Sequence, residues 1–275
     1  MTFHLNRHWI PIAIIAVSAA ISPTVASAET SIVIGFRQEP TSLDPTADAT
    51  ASIDGMLAQN VYESLTTVNE EGEVKPQLAE SWTVSDDGLT YVFDLVDGAT
   101  FHDGTGFDAE DVVFSFNRAM DEDSVNPTKK LFKPIESVLA TDAGTIEIKL
   151  KQTDAFFLFN MAQGDASIVA PESFETNNAT PVGTGPFKYE SWTRGDKLIL
   201  TKNADHRNAG SVALDRVEFK FISDAAAASA ALLSEEIDAF PGFPAPELLP
   251  QFDADPRFNV VVGSTEGEVI LAMNN

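Results

Sequence analysis

The sequence predicts an α/β or α+β chain, and three observations predict it. Short β-rich runs such as SIVIGF, TIEIKL and VEFKFI recur from one end to the other. Between them lie stretches with helical spacing or helix-start chemistry, notably ASIDGML and FDAEDVVFSFNRAM. No fixed-period repeat breaks this interleaving, and the only biased tract is one alanine run. With 275 residues, 44% of them hydrophobic, there is material for a substantial core and for one large or two ordinary domains.

The first 28 residues read differently from the rest. MTFHLNRH supplies a short basic start with Arg7, WIPIAIIAVSAAIS an apolar middle, and Ala26-Ser27-Ala28 the small residues a signal peptidase reads. Cleavage is expected between Ala28 and Glu29. The apolar run is short for a membrane span and contains Pro11. The mature chain is therefore expected to be exported and soluble. It would carry 42 acids against 16 bases, since Arg7 is the one base of the leader. So negative a surface repels nucleic acid and anionic lipid. There is no cysteine, which removes disulfides, thiolate metal sites, cysteine nucleophiles and a lipid-anchored start. Export with neither disulfide nor lipid points to a periplasm.

From Ser31 onward the elements can be justified in order. SIVIGF reads as a strand, and QEPTSLDPTADAT as a turn-rich loop. ASIDGMLAQNVYESLTTV places Ile53, Met56, Leu57, Val61 and Leu65 at helical spacing. NEEGEVKP is turn chemistry around Gly72. In LTYVFDLVDG, Leu89, Tyr91, Phe93 and Leu95 alternate with Thr90, Val92, Asp94 and Val96, the signature of a strand with one apolar face. FDAEDVVFSFNRAM carries a full helix start: Asp108 to cap, Asp111 three residues on, and Phe107 and Val112 as the ends of a hydrophobic staple. TIEIKL is another strand, and DAFFLFNMAQ a short buried helix whose Phe156, Phe157 and Phe159 read as core. After the glycine-rich VGTGPF come LILTKN and VEFKFI as strands. DAAAASAALLSEEIDAF reads as a helix capped by Asp224 and ended before PGFP. FNVVVG and EVILAMNN finish as strands.

Chemistry is sparse. Two histidines follow the leader, His102 and His206, and neither belongs to a zinc-type pair. DEDSVNPT lacks the glycine and terminal glutamate of a calcium loop. GTGPF has no Lys-Ser or Lys-Thr after it, and GxSxG and SxxK are both absent. In FHDG, His102 sits among Asp94, Asp97 and Asp103 with no second histidine or nucleophile in local reach. An imidazole tied to a turn is the expected reading. Trp82 and Trp192 either line a pocket or cover the strands beside them. Composition and spacing alone leave an exported, acidic α/β binding protein or a hydrolase, with no cofactor implied.

LAESWTVSDDGLTYVFDLVDGATFHDGTGFDAEDVVFSFNR (78–118) resembles the signature region of the family 5 extracytoplasmic solute-binding proteins of ABC importers, the peptide, dipeptide and nickel receptors. EPTSLDP (39–45), VGTGPFKYESW (182–192) and LLSEEIDAF (232–240) are similar to further family segments in the same order. Three positions depart from the pattern. Val96 stands where Arg or Lys usually follows FDL, Glu235 where the family writes the glycine of Gly-Glu-Ile-Asp, and NADHR (203–207) where an aromatic Asn-x-x-Tyr-Trp is usual.

The resemblance implies a two-lobed periplasmic-binding-protein fold of type II. A leader (1–28) would precede lobe I, made of 29–72 and 181–275, with an extra domain inserted at 73–180. The second lobe is expected to be missing, because the sequence reaches only about half the family's usual length. In this scaffold FHDG is structural. What the resemblance implies is a non-enzymatic periplasmic receptor, a monomer, which binds a small solute such as a peptide and hands it to the membrane permease subunits. Ligand contacts are expected from Thr50, Ala51 and Ser52, from Leu131 and Phe132, and from Gln163, Gly164 and Asp165. A non-transporting truncated remnant and a secreted hydrolase are the alternative expectations.

Overall fold

In the computed structural model of the chain, residues 30–48 and 50–263 are described. The leader, the Ala28/Glu29 cleavage pair and the strand expected over EVILAMNN lie outside them. Ten strands and five α-helices follow in the order β1 (Ser31–Phe36), α1 (Ala51–Leu57), β2 (Thr66–Val68), β3 (Val74–Pro76), β4 (Ala79–Val84), β5 (Thr90–Leu95), α2 (Ala109–Met120), β6 (Ile135–Asp142), β7 (Thr145–Leu150), α3 (Phe157–Asn160), β8 (Phe187–Thr193), β9 (Lys197–Lys202), β10 (Arg216–Phe221), α4 (Ala225–Leu233) and α5 (Leu249–Asp253).

These strands make three sheets. One runs β1-β10-β9-β8, with β1 parallel to β10 and the rest antiparallel. Its members β1 and β8 follow one another in the sheet's chain order yet are separated by residues 37–186, so that segment is an excursion from this sheet. The excursion holds the second large sheet, the antiparallel β4-β5-β7-β6, and α2 lies against β6 and β7. The third sheet is the hairpin β2–β3, which turns at Gly72 with φ +78. The expected boundary between 72 and 73 thus falls inside a hairpin turn.

The alternation read in LTYVFDLVDG is what builds β5. Tyr91, Phe93 and Leu95 are buried, and Phe93 is wholly so. Burying such a side chain contributes about 1.5–3 kcal/mol. The staple residues Phe107 and Val112 join the same core, and Phe116 meets Phe132 edge-on at 5.4 Å. At the start of α2 the Asp108 carboxylate accepts from Glu110 N at 2.8 Å, and Asp111 reaches back to accept from Asp108 N at 2.9 Å. That reciprocal arrangement satisfies backbone donors that the first helical turn leaves without partners. A separate core packs Ile53, Met56, Leu57 and Tyr62 under β9 and β10.

Several elements differ from expectation, each for a tertiary reason. The helix from Ala51 stops at Leu57. Gln59 takes φ +64, and the amides of Asn60, Val61 and Tyr62 all fold back onto Leu57 O. Val61 and Leu65 are still buried, but from a turn and a bend rather than a helix. Helix α3 is a single turn. Only Phe157 points inward, with its ring 4.7 Å from that of Tyr91, while Phe156 and Phe159 are 69% and 40% exposed. The alanine-rich helix ends at Leu233. Beyond it Glu235 takes φ +59, and Ala239 forms a parallel bridge with Ile34 of β1. FNVVVG has no ladder partner among the described residues, and Val261 and Val262 stand 82% and 79% exposed.

Candidate ligand-binding wall and the joint behind it

The FHDG loop and the GTG segment meet in a joint. His102 N donates to Gly183 O at 2.9 Å. The imidazole Nε2 lies 2.9 Å from Gly185 O, and Gly183 N points at Nδ1 from 3.3 Å. This assigns the tautomer: Nε2 carries the proton and donates to Gly185, and Nδ1 accepts. Burial pushes the imidazole down to about 4, against the hydrogen bond to Gly185, which favours the charged form. The two glycines are required by close approach. A Cβ at Gly183 would fall 2.1 Å from Val61 O, and one at Gly185 2.3 Å from Asn60 O. His102 therefore ties the FHDG loop to the GTG segment with both ring nitrogens engaged.

Beside the joint lies a buried ion pair. Arg207 grips Glu63 with both arms, Nη1 to Oε2 at 2.7 Å and Nη2 to Oε1 at 2.5 Å. Glu63 is 3% exposed. His206 accepts from Asn208 N at Nδ1, and its Nε2 lies 3.6 Å from Glu63 Oε1 and 3.2 Å from Arg207 Nη1. Burial alone would raise the Glu63 carboxyl. Hydrogen bonds and charge from His206 and Arg207 outweigh it and hold the group below the usual range.

A different surface gathers the residues singled out as ligand contacts. Thr50 precedes α1 but leaves its first turn uncapped, because the hydroxyl is turned to Asp48 at 2.6 Å and to Thr41 at 3.1 Å. Ala51 is exposed. Ser52 is buried, and its hydroxyl has no partner among the described residues. One turn along α1, Asp54 lies directly against Gly164, where a Cβ would come 2.1 Å from Asp54 Oδ1. Asp165 follows, its carbonyl accepting from Asn126 Nδ2 at 2.9 Å. Leu131 N donates to Thr128 O at 2.8 Å in the same loop. Leu131 is half-buried, whereas Phe132 is 2% exposed and belongs to the core around Phe116. Gln163 is half-buried with its amide on Phe159 O at 3.3 Å. The three groups of residues thus form one chain of neighbours, from α1 through Asp54 and Gly164 to Asn126 and Leu131.

Among the described residues no basic side chain pairs with the carboxylates of this wall, Asp54 and Asp165. Asp54 is raised to about 6, first by burial of the carboxyl against its neighbours and then by repulsion from Asp165, although its side chain still reaches solvent. Asp165 is raised by burial as well, with Thr128 donating in the opposite sense. Among the described residues no group of three or more His, Cys, Asp or Glu side chains gathers as a metal site would require.

The family model of the bacterial extracellular solute-binding proteins, family 5 (middle), matches residues 73–275. The chain belongs to this family. The glutathione-binding protein GsiB of Salmonella typhi is 31% identical over 246 residues, covering 88% of this chain and 48% of that protein. GsiB of Escherichia coli K12 is 32% identical over 232 residues. The chain therefore spans about half the length of the curated relatives it matches. Among solved structures, AgaA from A. tumefacien R10 in complex with agropinic acid superposes with TM-score 0.77 at 28% identity, covering 82% of this chain and 46% of that one. DppA from Helicobacter pylori in complex with the peptide STSA does so with TM-score 0.74 at 30% identity, covering 82% and 49%.

Against the family pattern, the departures at Asn203–Arg207 and Glu235 now have places. Asn203 is buried with Nδ2 on Gly185 O at 3.1 Å, and Arg207 supplies the Glu63 pair. Glu235 occupies the left-handed backbone conformation that glycine adopts at least cost. Sequence reasoning missed Asp54, Asn126 and Thr128 as neighbours of the expected contacts. NPT after an acidic run signals a turn, but nothing local shows that the turn reaches Asp165. The Glu63–Arg207 pair was invisible for the same reason, its partners being 144 positions apart.

Proposed function

We propose that this chain is the substrate-binding component of an ABC importer, which binds a peptide or similar small solute without chemistry and delivers it to membrane permease subunits. In this reading the protein is exported, cleaved after Ala28 and monomeric. Lobe I comprises 29–72 and 181–275, and 73–180 is the inserted domain. The observation that carries the reading is the convergence of Thr50–Ser52, Asp54, Gly164 and Asp165 into one wall on a fold shared with receptors solved in complex with an opine and a peptide. A preformed wall with a few polar groups suits recognition by fit rather than by catalysis. The opposing wall would come from the half of the relatives that this chain does not span, closing by a hinge over the ligand. Among the described residues no helix is long and apolar enough to cross a membrane.

The test is isothermal calorimetry on the protein purified from its native periplasm, with reduced glutathione, a set of di- and tripeptides and an opine as probes. One probe is expected to bind with one-to-one stoichiometry and to be recovered unchanged. Hydrolysis of a probe would replace the receptor by a hydrolase. An intact mass near that of this chain, with no probe bound, would leave a non-transporting remnant.

A further inference from the structure

The loop that carries Thr50 is held from outside by a side chain assigned no role so far. Glu39 opens the EPTSLDP segment, yet its carboxylate is committed to the far edge of the β8–β9 hairpin. Oε1 accepts from Trp192 Nε1 at 3.0 Å, and Gly195 N donates to both oxygens, at 3.1 and 3.0 Å. Gly195 closes that hairpin at φ +74, a conformation costly for any other residue, and this turns its N–H toward the carboxylate. Arg194 completes the grip. Its guanidinium lies 3.4 Å over the Trp192 ring and makes long contacts to Thr41 O, at 3.4 Å, and Pro40 O, at 3.5 Å.

The hold continues along the loop. Thr41, two residues beyond Glu39, donates its hydroxyl to Asp48 and lies 3.1 Å from the Thr50 hydroxyl. The Asp48 carboxylate accepts from Thr50 N at 2.9 Å and from Thr50 Oγ1 at 2.6 Å. Side-chain contacts, joined by the backbone from Glu39 through Pro40 to Thr41, thus connect Trp192 and Gly195 to Asp48 and Thr50. They account for every side-chain hydrogen bond of Glu39 and Asp48 among the described residues, and of their partners Trp192 alone also packs its ring against the core under β9 and β10. These hydrogen bonds shape a loop.

We infer that Glu39 is a positioning residue for ligand binding: by anchoring residues 40–41 to the β8–β9 turn it presets the loop that presents Thr50, Ala51 and Ser52. The inference rests on the reading of those three residues as ligand contacts. A preset loop spares the ligand the cost of ordering it, so its loss weakens affinity without removing a direct contact. Burial works against the Asp48 carboxylate, but the hydroxyls of Thr41 and Thr50 outweigh it and hold the group low, as a fixed loop requires.

The experiment compares Glu39→Ala, Glu39→Gln and the wild type by hydrogen exchange and by calorimetry with the glutathione, peptide and opine probes. Glu190→Ala, on the strand that carries Trp192, removes only the ion pair to Arg216 of β10 and serves as control. In Glu39→Ala the amides of 41–52 are expected to exchange about tenfold faster, with those of α2 and β7 unchanged. Affinity for the bound probe is expected to fall about tenfold, and Glu39→Gln, whose side-chain oxygen still accepts from Trp192 or Gly195, is expected to fall between. Unchanged exchange in 41–52, or an affinity for the probe equal to wild type, overturns the inference. If the wild type binds no probe, the receptor reading itself fails and takes the ligand role of Glu39 with it. The exchange data would then report a loop anchor alone.

Discussion

Two places where distant segments meet are built on opposite principles. At the joint, His102, Gly183, Gly185 and Asn60–Val61 match donor to acceptor, and the neighbouring Glu63 is gripped by Arg207. At the wall, Asp54 faces Asp165, Ser52 keeps a buried hydroxyl without a partner, and Gly164 gives way only to a carboxylate. Matched groups cost nothing further and hold the fold. Groups left short of partners cost stability, a cost that a ligand meeting them would offset. The contrast lies in the charged groups: the joint also holds a buried hydroxyl without a partner among the described residues, that of Thr184, but the joint's carboxylate is paired and those of the wall are not.

Substituting the glycines is the strongest way to break the comparison. Gly183→Ala would drive a Cβ into a backbone carbonyl, Val61 O, which is itself fixed by accepting from Gly185 N at 2.9 Å. A loss of about 4 kcal/mol or more is expected in urea denaturation, or failure to fold. Glu63→Ala comes next. It leaves the Arg207 guanidinium, 19% exposed, without its carboxylate, and about 3–4 kcal/mol is expected by the same measurement.

The joint also predicts a pH dependence. The His102 imidazole titrates near 4 when folded and near 6.5 when unfolded, so the unfolded chain binds more protons between those values. Its contribution is complete above about pH 6.5 and is lost as pH falls to about 4, roughly 3 kcal/mol over the window. Asp54 and Asp111, both raised to about 6, act in the opposite sense over much of the same range, being lost as pH rises. The comparison is therefore between wild type and His102→Gln, whose stability difference should shrink from pH 7 to pH 4. A constant difference would mean that His102 is not held neutral.

The smallest effect is at the wall. Gly164→Ala also places a Cβ 2.1 Å from an oxygen, but this one ends a flexible side chain. About 1–2 kcal/mol is expected, and Asp54→Ala in the same chain should recover most of it. Equal losses at Gly164 and Gly183 would erase the distinction between wall and joint.

How much of this was legible in the sequence depends on the range of the cause. The alternation of Tyr91, Phe93 and Leu95 and the box of Asp108 and Asp111 are local, and both appear as read. Strand β6 was not legible, because register shifts after Ile135 and Ala140 break its period of two. The end of α1 was hidden, since Gln59 turns only where Tyr62 O is there to accept its amide at 2.8 Å. Phe156 and Phe159 were misread as core because one helical turn buries one face, and apolar composition does not say which. At the wall, resemblance pointed to Thr50–Ser52, Leu131–Phe132 and Gln163–Asp165 as ligand contacts, whereas Asp54 meets Gly164 only through the tertiary fold, which no local pattern shows.

Hydrogen exchange of the protein with and without its tightest-binding probe tests the central claim most directly. The account predicts protection confined to 48–58 and 163–166, with 101–105 and 183–187 already slow and unchanged. Protection centred on the joint, or a saturated ligand that leaves 48–58 and 163–166 untouched, would contradict it.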